Sequence, residues 1–255
     1  MKSPLLSVIT VTYNNFSGLK QTVENINQLT YKNFEHIIID GDSSDETKNY
    51  LNSLDYENLT WISKKDNGIY DAMNKGIKQS IGEWIIFMNA GDEFSTNTVL
   101  QNIEFREEKK VIYGDCDVLY NTDYSRIMKA LSLNQIWKGL PFSHQSVFTH
   151  RSILKEGFNL SYKYCADFEL FLKNYTKENQ WHYCSFSISK ITAGGVSDNK
   201  RYLATNEVYQ INRKMNNSIK IHFYFIPKII LSFFIVKLKS VLPTKLTNIV
   251  YKIKY

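Results

Sequence analysis

The sequence predicts an α/β protein built on a mostly parallel central sheet with helices on both faces. Three observations point there. Apolar, β-branched runs alternate with helix-periodic segments at roughly 20–30 residue intervals. Those runs do not alternate with polar residues, as expected of strands buried on both faces. The first, second and fourth runs also end in short polar turns, Thr12-Tyr13-Asn14, Asp40-Gly41-Asp42 and Asn89-Ala90-Gly91-Asp92. In a parallel sheet these ends share one rim, which is where open α/β sheets bind ligands.

Leu6 to Thr12 is the first strand, and Tyr13 to Gly18 is its turn. Leu19, Val23, Ile26 and Leu29 then recur at helical spacing behind an N-cap at Asn15 or Ser17. Phe34 to Ile39 is the second strand, and Ser44 or Asp45 caps a helix reaching about Leu54. A short strand, Leu59–Ser63, precedes Lys64-Lys65-Asp66-Asn67-Gly68 and a helix from Ile69 to Ile81. Trp84 to Met88 is the fourth strand. A helix over about Thr96–Phe105 and a strand at Lys110–Tyr113 follow, then the pair Asp115/Asp117. Beyond, short strands are expected at Val118–Tyr120, Ser146–Thr149 and Tyr183–Ile191, with helices near Leu133–Lys138, Asp167–Lys177 and Thr205–Met215. This divides residues 1–205 into a nucleotide-binding half, 1–115, and a more variable half, 116–205, sharing one sheet. Residues 206–255 form a basic, apolar helical extension.

The chain has 255 residues and a net charge of +6, unevenly spread. Nine lysines and arginines and no acidic residue lie between Val208 and Tyr255, which leaves residues 1–207 at −3. A basic tail on an acidic body suggests an anionic partner. Ile219 to Val236 is rich in Ile and Phe but is interrupted by His222, Pro227 and Lys228, so no transmembrane helix is expected. Leu242, Leu246, Ile249 and Ile253 share a helical face beside Lys245, Lys252 and Lys254, which suits an anionic membrane surface. A helix packed on the body, or on a partner in a homodimer, is the alternative. The basic residues are interleaved with long aliphatics, which argues against nucleic acid. Three scattered cysteines, Cys116, Cys165 and Cys184, suit a reducing compartment, and no basic-then-apolar leader precedes the first strand.

The shared rim offers an aromatic ring to stack on a base, Tyr13, and a carboxylate to accept from a base N–H, Asp40. It also offers Asp92, which would hold a divalent cation or else cap the next helix. Together these form a site for a nucleoside diphosphate. No P-loop and no G-x-G-x-x-G follows the first strand, and no close Cys/His cluster suggests zinc. Ser197 is not in a nucleophile elbow.

Four stretches, in order and spacing, resemble glycosyltransferase family 2. They are Ser7–Asn14, Ile39–Thr47, Asp66–Gly76 and Gly82-Glu83-Trp84 leading to Asn89-Ala90-Gly91-Asp92. His144–Phe148 and Ala166–Leu170 match more loosely. The resemblance implies a GT-A, Rossmann-like fold and an inverting, metal-dependent transferase. Such an enzyme moves a hexose or N-acetylhexosamine from a nucleotide sugar, a UDP-sugar favoured, to a lipid-linked oligosaccharide of a bacterial surface polysaccharide. It would work as a peripheral protein on the cytoplasmic face of the cell membrane. It further implies that Tyr13, with Thr12 beside it, stacks on the base and that Asp40 binds the base edge. Asp66 and the helix after Gly68 would lie near ribose and diphosphate. Asp92, in the turn with Asn89, Ala90 and Gly91, would coordinate Mg2+ or Mn2+. Asp167 would be the general base, with Glu169 as its rival, and His144 and Gln145 would contact acceptor or diphosphate. The sequence departs from the family pattern at Asn89 and Gly91, where acids are usual. A sugar nucleotidyltransferase and a catalytically degenerate nucleotide-sugar-binding protein are the competing readings. The first lacks its expected basic, Gly-rich loop, since Tyr13–Gly18 has no basic residue.

Overall fold

The computed structural model describes residues 4–121, 124–175, 178–194, 200–216 and 218–241. The chain divides into two compact units, residues 1–193 and 194–255.

The first unit is built on one nine-stranded sheet. Strands β1 (Leu6–Thr12), β2 (Phe34–Asp40), β3 (Leu59–Ser63) and β4 (Trp84–Phe87) run parallel in the order β3-β2-β1-β4. Helices α1 (Phe16–Asn27), α2 (Thr47–Ser53) and α3 (Ile69–Gln79) make the crossovers. The apolar stripe expected on the first helix is buried at Leu19, Val23, Ile26 and Leu29, each contributing about 1.5–3 kcal/mol of burial. Asn15 is the N-cap of α1, accepting from the Gly18 N–H. Trp84 to Met88 are all buried, as a central strand requires.

Beyond β4 the sheet becomes mixed. A two-residue strand, β5 (Glu93–Phe94), is followed by β6 (Val111–Asn121), β7 (Tyr124–Met128), β8 (Val147–His150) and β9 (Trp181–Thr192). β8 lies antiparallel between β4 and β6, β9 runs parallel to β6, and β5 and β7 pair antiparallel at the margins. The two strands expected at Lys110–Tyr113 and Val118–Tyr120 are one strand, β6, which runs through residue 115. The helix expected over Thr96–Phe105 is a 3-10 turn at Val99–Asn102. Polar Ser95-Thr96-Asn97-Thr98 competes for the backbone bonds of a helix start, and one turn suffices to bury Val99 and Leu100. Leu133–Lys138 is likewise a 3-10 helix, whereas α4 spans Ala166–Asn174.

The second unit contains helices α5 (Arg201–Met215) and α6 (Ile219–Val241), with Pro227 inside the latter. No helix among the described residues is long and apolar enough to cross a membrane. The face expected at Leu242–Ile253, and Ser197, lie outside the described residues.

Candidate active site

The loops after β1 and β2 are stitched together at the carboxyl ends of the strands. The Asn14 N–H donates to Ser43 Oγ at 2.8 Å, and the Ser44 N–H donates to Asn14 Oδ1 at 2.8 Å. This leaves the Tyr13 ring 64% exposed at the rim, free to stack on a flat partner. Asp40 does not share that exposure. It is fully buried, and its carboxylate accepts from the Ser43 N–H and hydroxyl and from Ser63 Oγ at 2.6 Å. The base-edge role expected for Asp40 would therefore fall to an inward-facing carboxylate whose two oxygens already accept from Ser43 and Ser63 and so organise the rim. Asp66 is better placed. A Cβ on Gly41 would come within 2.6 Å of Asp66 Oδ2 and 3.2 Å of Tyr13 Cδ2, so the bare glycine keeps ring and carboxylate together. Asp66 Oδ1 accepts from the Gly68 N–H at 3.0 Å, at the start of α3.

The turn after β4 is held by α1. Asn15 Nδ2 donates to the Ala90 carbonyl at 3.0 Å, and Thr22 Oγ1 donates to the Asp92 carbonyl at 2.7 Å. Gly91 adopts φ +101°, a conformation that favours glycine. Burial pushes the Asp92 carboxyl up to about 7, opposed by a hydrogen bond from the Gln145 side chain and by the His144 charge. Ser143 Oγ donates to Gln145 Oε1 at 2.8 Å, which aims the amide N–H group at Asp92. Asn89 Oδ1 is buried with no hydrogen-bond partner. Glu93 pairs instead with Lys190, at 3.3 Å.

His144 and Gln145 reach this turn because β8 runs antiparallel to β4. Trp84 faces His150 and Ile85 faces Thr149, so the residues entering β8 lie at the end where β4 leaves. His144 packs on Phe87 and Phe158, with ring centroids 5.2 and 5.8 Å away. Its Nδ1 lies 3.2 Å from Asp167 Oδ2 without the alignment of a hydrogen bond, and Nε2 is buried without a hydrogen-bond partner. Asp167, in the first turn of α4, also receives the Tyr70 hydroxyl at 2.8 Å and the Phe168 N–H at 2.8 Å. Tyr70 has one proton, which the charged carboxylate takes in preference to the Tyr164 carbonyl 3.0 Å away. Burial raises the Asp167 carboxyl, but His144, Tyr70 and the Phe168 N–H outweigh it and hold the group below the usual carboxylate range. It is therefore ionised at neutral pH. Glu169, two residues on, is turned by about 200° around the helix, and shares none of these contacts among the described residues.

No sequence motif assigns a role to Tyr70 or Gly41. Tyr70 stood in the Asp66–Gly76 stretch, but its partner is 97 positions away. Asp115 and Asp117 are engaged within the fold, accepting from Tyr183 and Ser187 at 2.7 and 2.6 Å. A cavity of about 780 Å3 lined by Phe34, Glu35, His36 and Asn58 opens at the opposite ends of the strands, away from all these groups.

For a divalent cation, the donors at hand are the Asp92 carboxylate and the orphaned Asn89 carbonyl oxygen of the same turn. Hard oxygen ligands from one carboxylate, completed by substrate phosphates and water, suit Mg2+ or Mn2+. No group of three or more His, Cys, Asp or Glu side chains that could hold a metal occurs among the described residues.

This sheet, with an aromatic and a carboxylate at one rim and two partly buried carboxylates beside it, is the frame of a nucleotide-sugar transferase. The Glycosyl transferase family 2 profile matches residues 7–178, and the chain belongs to that family. It is 31% identical over 187 residues to a Mycobacterium tuberculosis protein named uncharacterized glycosyltransferase, covering 67% of this chain and 69% of that protein. It is 29% identical over 178 residues to the PGL/p-HBAD biosynthesis glycosyltransferase of Mycobacterium bovis, covering 66% and 69%. The fold matches a Pyrobaculum calidifontis mannosyltransferase in complex with GDP-Man and Mn2+, with a TM-score of 0.64 at 14% identity. It also matches S. aureus TarS 1-349 in complex with UDP-GlcNAc, with a TM-score of 0.61 at 20% identity. These matches cover 85% and 82% of this chain, but only 65% and 66% of those two proteins. The fold is therefore a GT-A-like α/β fold, and the activity is glycosyl transfer, which sets aside the nucleotidyltransferase alternative.

Proposed function

We propose that this protein is an inverting glycosyltransferase that moves a hexosyl or N-acetylhexosaminyl group from a UDP-sugar to a hydroxyl of a lipid-linked glycan in bacterial surface polysaccharide synthesis. The observation that supports it most is the pair His144-Gln145. One residue touches Asp167 and the next touches Asp92, so two carboxylates of opposite character are hinged on one backbone step.

Tyr13 stacks on the base, with Thr12 beneath it and Asp66 at the edge of the ring or ribose. The turn Asn89-Ala90-Gly91-Asp92 faces the diphosphate, and Asp92 with Asn89 Oδ1 would hold Mg2+ or Mn2+ there. A bound cation supplies charge neutralisation on the departing diphosphate oxygens. Asp167, kept ionised, accepts the proton of the acceptor hydroxyl as that oxygen attacks the anomeric carbon. A single displacement follows, and the configuration inverts. Tyr70 and His144 keep the base aligned. The relatives support the donor class through the GDP-Man and UDP-GlcNAc in the complexes named above. Three buried, widely separated cysteines suit the cytoplasmic side of the membrane.

Calorimetry against UDP-, GDP- and dTDP-sugars with and without Mn2+ tests the donor. Turnover by Asp167→Asn tests the base: kcat should fall by roughly 10²–10⁴-fold with donor affinity kept. Unchanged turnover would remove Asp167 from the chemistry. Donor binding with no transfer by the wild type, over a panel of lipid-linked acceptors, would favour the degenerate binding protein.

A further inference from the structure

α6 has two apolar faces, and the described part of the second unit covers only one. Ile221 and Phe225 are buried at 3% and 2% exposure. They lie on the side where Tyr209 of α5 packs, its ring centroid 5.9 Å from that of Phe225 and its hydroxyl 2.8 Å from His222 Nδ1. Ile219, Phe223, Ile226 and Ile230 follow at steps of four, three and four, so they line up along a second face. They are exposed at 71, 75, 44 and 51%, with Leu231 at 60% beside them. Side chains of this size are seldom left in water as a continuous stripe.

We propose that this stripe is a membrane-docking face, seated in the interfacial region of an anionic bilayer with α6 lying along the surface. Charge selects the occupant. Lys220 borders the stripe, Arg213 and Lys214 end α5, and no acidic residue occurs from Val208 onward. Lys228, whose Nζ lies 4.3 Å from the Tyr224 ring centroid, is on the other side of α6 and adds to the positive charge of the helix without bordering the stripe. Apolar burial and anionic headgroups act together on such a helix. A second copy of the chain fits less well, because its residues from Val208 onward would bring no acidic group to Lys220. Nucleic acid offers the stripe nothing apolar to cover it. α6 does not cross the bilayer, being too short of uninterrupted apolar residues. The proposal goes beyond the transferase reading and needs no turnover, so failure of that reading would leave it standing.

The test is flotation of the full chain with phosphatidylcholine vesicles, with and without phosphatidylglycerol, beside sedimentation velocity in the absence of lipid. The wild type should float with the anionic vesicles, less so in high salt. Phe223→Glu/Ile226→Glu should lower partitioning at least about tenfold. Both substitutions fall on exposed positions, and an unchanged circular dichroism spectrum and thermal midpoint would show that the variant folds. Three results would overturn the proposal. The wild type could fail to float with anionic vesicles, or the variant could float as well as the wild type. The variant could also convert a wild-type dimer to monomer with vesicle binding unchanged, which would assign the face to a second copy.

Discussion

The Tyr70 hydroxyl donates to Asp167 Oδ1 at 2.8 Å, joining the start of α3 to the start of α4. α3 begins at the loop that carries Asp66, so the donor-side rim and the proposed base share a rigid connection. Replacing Tyr70 by Phe removes a hydrogen bond to a charged, buried acceptor, about 1.5–3 kcal/mol. The Asp167 carboxyl then rises, and the acidic limb of the kcat–pH profile should move up by roughly one to two pH units. KM for the nucleotide sugar should stay near the wild-type value. A profile that keeps its midpoint would show that Tyr70 serves packing alone.

Asp92 predicts a pH dependence of its own. With its carboxyl at about 7 because of burial, the proton and a cation–diphosphate pair compete for the same oxygens. Affinity for a nucleoside diphosphate with Mn2+ should therefore climb about tenfold per pH unit below 7 and level off above it. Binding should release a proton, visible to calorimetry in buffers of different ionisation enthalpy. Asp92→Asn should flatten the curve and weaken binding, and a wild-type affinity independent of pH would count against the assignment.

Gly41→Ala addresses the rim directly. The added methyl would sit 2.6 Å from Asp66 Oδ2 and 3.2 Å from the Tyr13 ring, so one of them must move. Loss of nucleotide affinity by about tenfold is expected, with a stability cost of about 1–3 kcal/mol at most. Tight binding by this variant would mean that the Tyr13–Asp66 approach is not used.

His36 makes the fold sensitive to acid. It is buried on β2 against Thr10 Oγ1, 2.9 Å from its Nε2, and burial pushes its pKa down to about 3. In the unfolded chain the same group titrates near 6.5. Between those values the unfolded state binds the extra proton, so stability rises with pH and is lost on acidification, about 1.4 kcal/mol per pH unit. His36→Gln keeps a hydrogen-bonding arm without the titration, and its thermal midpoint should fall less steeply from pH 6.5 toward pH 4. Parallel curves for the two proteins would refute the assignment.

The parallel half was legible because each strand is a long apolar run closed by Asp, Asn or Gly, and each helix shows a 3.6-residue stripe. β7 was not legible. All five of its residues are exposed, so no buried face imprints a pattern on Tyr124–Met128. Val99, Leu100 and Ile103 imitate a helical stripe that a single 3-10 turn can bury. At the site, Tyr13, Asp66, Asp92 and Asp167 could be picked out by type and position. The burial of Asp40 could not, since it depends on Ser63 reaching across from the neighbouring strand. Nor could the Tyr70–Asp167 bond, which only tertiary packing brings about.

The reversal of β8 against β4 also sets where this chain can tolerate change. His144 and Gln145 hold their places through a register with β4 and β6, so inserting one residue between Ser146 and Val147 would swing both away from their carboxylates. Added residues are better borne at the exposed turn 106–108 than in 129–142 or 151–165, where Leu133, Ile136, Phe142, Leu154 and Phe158 are buried.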